Sequence, residues 1–93
     1  MRYNNKSLAD AFARGVTDGK ANNLFIERGV LYSYGYHFPI AVTKNGKTYV
    51  NGDKYSPSTA KHQSYLRTAL NRNGVDWYET SLADVRARIA GEY

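Results

Sequence analysis

Hydrophobic positions follow a period near 3.6 at the two ends of the chain and a period of two in its middle. Near the N-terminus, Ser7-Leu8-Ala9-Asp10 opens an Ala-rich run with Leu8, Ala11, Phe12 and Gly15 or Val16 on one face, stopping near Gly15 or Gly19. Near the C-terminus, Ser81-Leu82-Ala83-Asp84 repeats the S-x-x-D pattern, with Leu82, Val85 and Ile89 inward and Arg86 and Arg88 towards solvent. In each, the serine is placed to cap a free N–H of the first turn, and the carboxylate three residues on suits the positive end of the helix dipole.

In the middle, Val30, Tyr32, Tyr34, Tyr36, Phe38, Ile40 and Val42 share one parity. Gly35 and Pro39 both interrupt a sheet interior, so a turn or bulge near Tyr34-Gly35-Tyr36 is expected rather than one long strand. Arg28-Gly29 and Asn45-Gly46 sit between alternating apolar runs as hairpin signals. The pattern predicts four short strands, near 23–28, 30–34, 38–44 and 47–51. Asn51-Gly52-Asp53 then turns the chain out of the sheet, with Gly52 expected at positive φ. Ser56-Pro57 opens a helix over 57–73, with Ser58 as a rival cap and Asn73-Gly74 as the stop. Leu66, Ala69 and Leu70, with His62 or Tyr65, form its buried stripe, and Lys61, Ser64, Thr68 and Arg72 lie on another face. Val75-Asp76-Trp77-Tyr78 reads as a short extended piece before the last helix, over 81–90. The expected fold class is α+β in a single domain, residues 1–93: an N-terminal helix, an antiparallel meander of about four short strands, then two helices.

Composition narrows what such a domain can do. With no Cys, disulfides, thiolate zinc sites and cysteine nucleophiles are excluded together. Aromatic residues make up 14% of the chain, far above the level of unstructured segments. No apolar run approaches the roughly 20 residues of a membrane span, so no membrane partner is expected. Met1 to Lys6 lacks the apolar stretch of a signal peptide, and a cytoplasmic location is expected. The net charge of +5 favours polyanionic partners, although the cations are spread along the chain without any like-charge tract.

Two constellations carry candidate chemistry. Tyr32, Tyr34 and Tyr36, with Lys44, Lys47 and Lys54 on adjacent turns, would form a surface on which bases stack while amines neutralise phosphates. The competing reading of the same tyrosines is core packing with the hydroxyls reaching water. The second constellation is His37 and His62 with Asp53, which would bind a divalent metal or perform acid–base catalysis if the fold brought them together. No H-x-x-x-H pair, phosphate-cradling glycine loop or G-x-S-x-G elbow is present. The 57–73 and 81–90 helices are joined by too long a link for the usual helix-turn-helix.

The words Tyr32-Ser33-Tyr34-Gly35-Tyr36-His37-Phe38-Pro39-Ile40-Ala41, Val50-Asn51-Gly52-Asp53-Lys54-Tyr55-Ser56, Ser58-Thr59 and His62-Gln63 span roughly residues 24–70. They resemble a pattern in small bacteriophage and plasmid proteins to which no activity is attached. The resemblance implies a mobile-element origin. By analogy with small phage proteins that block host machines, it also implies an inhibitor of a defence effector of the CRISPR type.

The sequence therefore points to a non-enzymatic binding protein without cofactor or metal. Its expected partner is nucleic acid or a nucleic-acid-binding host complex, contacted through Tyr34, Tyr36, Lys44, Lys47, Lys54, Lys61 and Arg72. The alternative is a small enzyme of nuclease or phosphodiesterase type using His37 and His62.

Overall fold

Where helices start is decided by which side chain can reach a free N–H. In the computed structural model, which describes residues 3–91, the first helix, α1, covers Asn5–Ala13. Met1, Arg2, Glu92 and Tyr93 lie outside the described residues, and with them the start of the N-terminal segment read above. The cap of α1 is Asn4, three residues before the expected Ser7. Asn4 Oδ1 accepts from the Ser7 N–H at 2.7 Å, and Ser7 Oγ accepts from the Asn4 N–H at 2.9 Å. This reciprocal pair satisfies two donors and leaves Asp10 free to engage Arg14 and Asn73. Gly15, at φ +97°, ends the helix as expected.

The strands are β1 (Gly19–Lys20), β2 (Leu24–Glu27), β3 (Val30–Ser33), β4 (Pro39–Lys44), β5 (Lys47–Asn51) and β6 (Trp77–Thr80). They form one six-stranded sheet in sequence order, antiparallel except for the parallel β5–β6 pair. The four expected strands are all present. The count rises because Gly19–Lys20 pairs with β2 and because the extended piece after residue 75 docks beside β5. Helix α2 (Pro57–Arg72) is the crossover that a parallel pair requires, so the sheet is mixed and not a pure meander. Both hairpin signals hold: Arg28 and Gly29, then Asn45 and Gly46, all have positive φ, the type I′ geometry that matches strand twist.

Helix α2 starts at Ser56, whose Oγ accepts from the Thr59 N–H at 3.1 Å with Pro57 just inside. Helix α3 (Leu82–Ile89) starts at Ser81, whose Oγ accepts from the Asp84 N–H at 3.1 Å. Helices α1 and α2 cover one sheet face. Their core joins Leu8, Phe12, Leu66 and Leu70 to Leu24, Ile26, Leu31, Ile40 and Val50. Helix α3 covers part of the other face, where Val85 meets Val30, Tyr32 and Val42. Val85 is the buried anchor of α3 and Leu82 packs half-buried against the larger core, whereas Ile89 is exposed, so the expected three-residue stripe loses its last member. Among the described residues no helix is long and apolar enough to cross a membrane.

Of two expectations about the turns, one holds and one fails. The run from Val30 to Val42 is broken as expected, with β3 ending at Ser33, β4 starting at Pro39 and a bulge shifting their register between Leu31 and Tyr32. Tyr32 and Val42 join the α3 face, while Phe38 and Ile40 belong to the α1–α2 core. Gly52 is not in the left-handed region. Its need for no side chain is steric, since a Cβ there would meet Glu79 Cδ at 2.7 Å.

Candidate functional site

Tyr34 is the point where the sheet departs from its own rules. It follows β3 with φ +66°, and the Gly35 N–H donates to the Ser33 carbonyl at 2.8 Å, closing a three-residue γ-turn around it. A large aromatic residue in that region is strained, yet the ring is 51% exposed and so gains little from burial. The turn carries the Tyr34 ring to His62 of α2, with centroids 5.6 Å apart. His62 in turn lies 6.4 Å from the ring of Tyr65, one helical turn further along α2. Lys6 of α1 sets its Nζ 5.3 Å above the Tyr65 ring. A row of three rings thus runs from the end of β3 along α2 to a cation from α1.

His62 is the buried middle of that row. Ser56 Oγ donates to Thr59 Oγ1 at 3.1 Å, Thr59 Oγ1 lies 3.3 Å from Ser33 Oγ, and Ser33 Oγ lies 3.0 Å from His62 Nδ1. The three contacts link Ser56 through Thr59 and Ser33 to His62 Nδ1 and fix the orientation of the imidazole ring. Burial pushes the His62 pKa below its ordinary value, favouring the neutral form. His62 therefore supports the row, and Tyr34 and Tyr65 offer ring surface on either side of it.

Cations follow the same helix. Lys61, Tyr65, Thr68 and Arg72 recur at spacings that share one face of α2. Lys61 is exposed and makes no ion pair among the described residues. Arg72 has only a loose 3.9 Å approach to Asp10, whose carboxylate is already held by Arg14 at 3.0 Å and Asn73 at 2.9 Å. Lys54 is exposed in the loop leading into α2.

The remaining expected contacts lie elsewhere. Tyr36 sits on the α3 face, packed edge-on against Phe25 and Tyr32, and its hydroxyl donates to Glu27 at 2.9 Å. That hydrogen bond raises the Tyr36 pKa above the ordinary phenol value. Lys44 and Lys47 flank the β4–β5 turn, at the opposite end of the sheet from Tyr34. Lys44 Nζ donates to the Arg88 carbonyl at 2.6 Å and so closes the last turn of α3. The stacking surface expected from Tyr34 and Tyr36 together is not assembled, because the γ-turn sends them to different sides of the sheet.

The His37–His62–Asp53 constellation is not assembled either. His37 is exposed, and its Nε2 lies 3.4 Å from the Tyr55 hydroxyl, while His62 is held by Ser33. Asp53 Oδ2 accepts from the Leu82 N–H at 2.9 Å, serving the start of α3. Among the described residues no three His, Cys, Asp or Glu side chains are grouped to hold a metal ion.

Tyr65 and Lys6 were not among the expected contacts. Tyr65 was visible only as a candidate for the buried stripe, and Lys6 reaches the site through α1–α2 packing, which no local spacing announces. Comparison with family models, with curated proteins and with solved structures finds no match to the chain.

Proposed function

We propose that the protein binds single-stranded nucleic acid along α2, with bases stacked on Tyr34 and Tyr65 and phosphates met by Lys6, Lys61 and Arg72. The observation that carries this reading is the aromatic row beside cations that are not tied to close carboxylate partners. Stacking on an exposed ring contributes about 1–3 kcal/mol per base and tolerates any sequence. The same exposed ring that makes Tyr34 costly to the fold makes it useful to a base. Lys54, in the loop before α2, extends the positive rim. In a host cell this surface would engage single strands, or the strand-bearing groove of a nucleoprotein complex, which is compatible with a mobile-element inhibitor of a defence effector.

The test is fluorescence anisotropy with a labelled single-stranded oligonucleotide across a salt series. Three or four phosphate contacts predict a log–log slope of about −2 to −3. Tyr34→Ala and Tyr65→Ala should each weaken binding. Absence of binding at low salt would overturn direct recognition and leave a protein partner as the target.

A further inference from the structure

The far end of the row is a half-open depression. Lys6, Tyr65, Thr68, Ala69 and Arg72 line a pocket of about 250 Å³ between α1 and α2. This is smaller than the roughly 300–1,000 Å³ of drug-sized ligand sites, and suits one nucleotide unit or less. Two cations face it, whereas Lys61 stands singly on the same face one turn before Tyr65. Neither cation is firmly held. Lys6 rests over a ring at 5.3 Å, and Arg72 is 67% exposed at its loose 3.9 Å approach to Asp10.

A cation–π contact at an exposed site contributes less than a hydrogen bond to a charged group. Lys6 would therefore leave the Tyr65 ring for a phosphate placed beside it, and that movement vacates the ring face for a base. Recognition of the phosphate and stacking of its base become one event. An internal phosphodiester carries one negative charge, whereas a terminal phosphomonoester carries about −1.5 to −2, the charge two mobile cations neutralise.

Resting on the single-strand reading above, we infer that this pocket recognises a phosphomonoester at the end of the strand, with Lys6 and Arg72 on the phosphate, Thr68 as a hydroxyl donor and the terminal base on Tyr65. The probes are deoxythymidine hexanucleotides carrying a 5′-phosphate, a 3′-phosphate or hydroxyls at both ends, with free thymidine 5′-monophosphate as competitor. One phosphorylated end should bind about tenfold more tightly than the hydroxyl strand, the effect of one charge-assisted hydrogen bond. That preference should vanish in Lys6→Ala and Arg72→Ala and survive in Lys6→Arg and Lys47→Ala. Lys6 and Arg72 are exposed, so these variants should fold normally, as far-ultraviolet circular dichroism would check. Equal binding of all three strands would overturn end recognition and leave the single-strand reading standing. Binding of none would overturn both. Competition by the mononucleotide at the concentration that suffices for the phosphorylated strand would overturn strand-end recognition in favour of a free nucleotide.

Discussion

The two faces of the sheet hold similar side chains in different conditions. On the α3 face, Tyr49 stacks on Tyr78, Arg88 lies 3.7 Å over Tyr49, Arg88 Nε holds Asp84 at 2.8 Å, and Lys44 binds the Arg88 carbonyl. On the α1–α2 face, Tyr34 and Tyr65 flank His62, and Lys6, Lys61 and Arg72 stand near them without a close carboxylate. On the first face Tyr49, Arg88 and Lys44 engage one another or α3 and hold a short helix in place, while the exposed Tyr36 gives its hydroxyl to Glu27. On the second face the cations keep no close carboxylate partner, and it is this availability, rather than the count of tyrosines and lysines, on which the proposed binding surface rests.

The strongest way to break the comparison is to remove each face's own core. Leu66→Ala, in the larger core, should destabilise by about 2–5 kcal/mol, and Val85→Ala, at the buried anchor of α3, by about 1.5–3 kcal/mol. Urea melts of the single and double variants would show whether the costs add; a coupling above about 0.5 kcal/mol would mean that the faces are not independent.

A second pair of substitutions should separate function from stability. Tyr34→Gly relieves a left-handed backbone that costs a residue with a Cβ about 1–2 kcal/mol. It should melt no lower than wild type while losing about 1–3 kcal/mol of single-strand binding. Lys44→Ala should do the reverse, losing about 0.5–1.5 kcal/mol of stability with the α3 terminus and leaving binding unchanged. Weakened oligonucleotide binding in Lys44→Ala would erase the distinction between the faces.

A smaller, pH-dependent effect belongs to the α2 face alone. Because the folded-state pKa of His62 is depressed from 6.5, its contribution to stability is present above that value and is lost as pH falls through the lower one. Thermal melts from pH 8 down to pH 5 should decline more steeply for wild type than for His62→Asn. Equal slopes would show that the buried imidazole does not titrate differently on folding. The smallest effect is expected for Gly52→Ala. The added Cβ displaces the Glu79 side chain from Arg67, an exposed ion pair worth about 0–1 kcal/mol. A loss above 2 kcal/mol in the melt would mean that backbone, and not that side chain, must move.

Local chemistry made much of the fold legible. Arg28-Gly29 and Asn45-Gly46 form their hairpins, Ser56 and Ser81 cap their helices, and the helix and strand order is α+β with two helices at the C-terminal end. What the pattern concealed depends on distant partners. Gly19–Lys20 is a strand only because β2 is beside it, and Trp77–Thr80 shows no alternation because its pairing with β5 is set by the crossover. The site divides in the same way. Tyr34, Lys61 and Arg72 stood out through parity and helical spacing, and Gly35 and Pro39 announced a turn near Tyr34-Gly35-Tyr36, but not that it would send the two rings to different sides of the sheet. Lys6 enters through the contact of two helices separated by the entire antiparallel part of the sheet.

That crossover also sets an order in time. Strands β1 to β5 are joined by short local connections, and hairpins of this kind close in about 1–10 μs. Strand β6 finds its place only after the chain has travelled out through α2 and back, from Asn51 to Trp77, and contacts of such sequence separation form slowly. Tyr34 follows the locally connected strands, whereas His62, Tyr65 and Arg72 ride on α2, the crossover itself. The ring row is therefore expected to form only when α2 docks, and the proposed surface would be absent from a chain in which the hairpins alone have closed. Ligand added during refolding should leave the early hairpin phase unchanged and stabilise only the state in which α2 has docked.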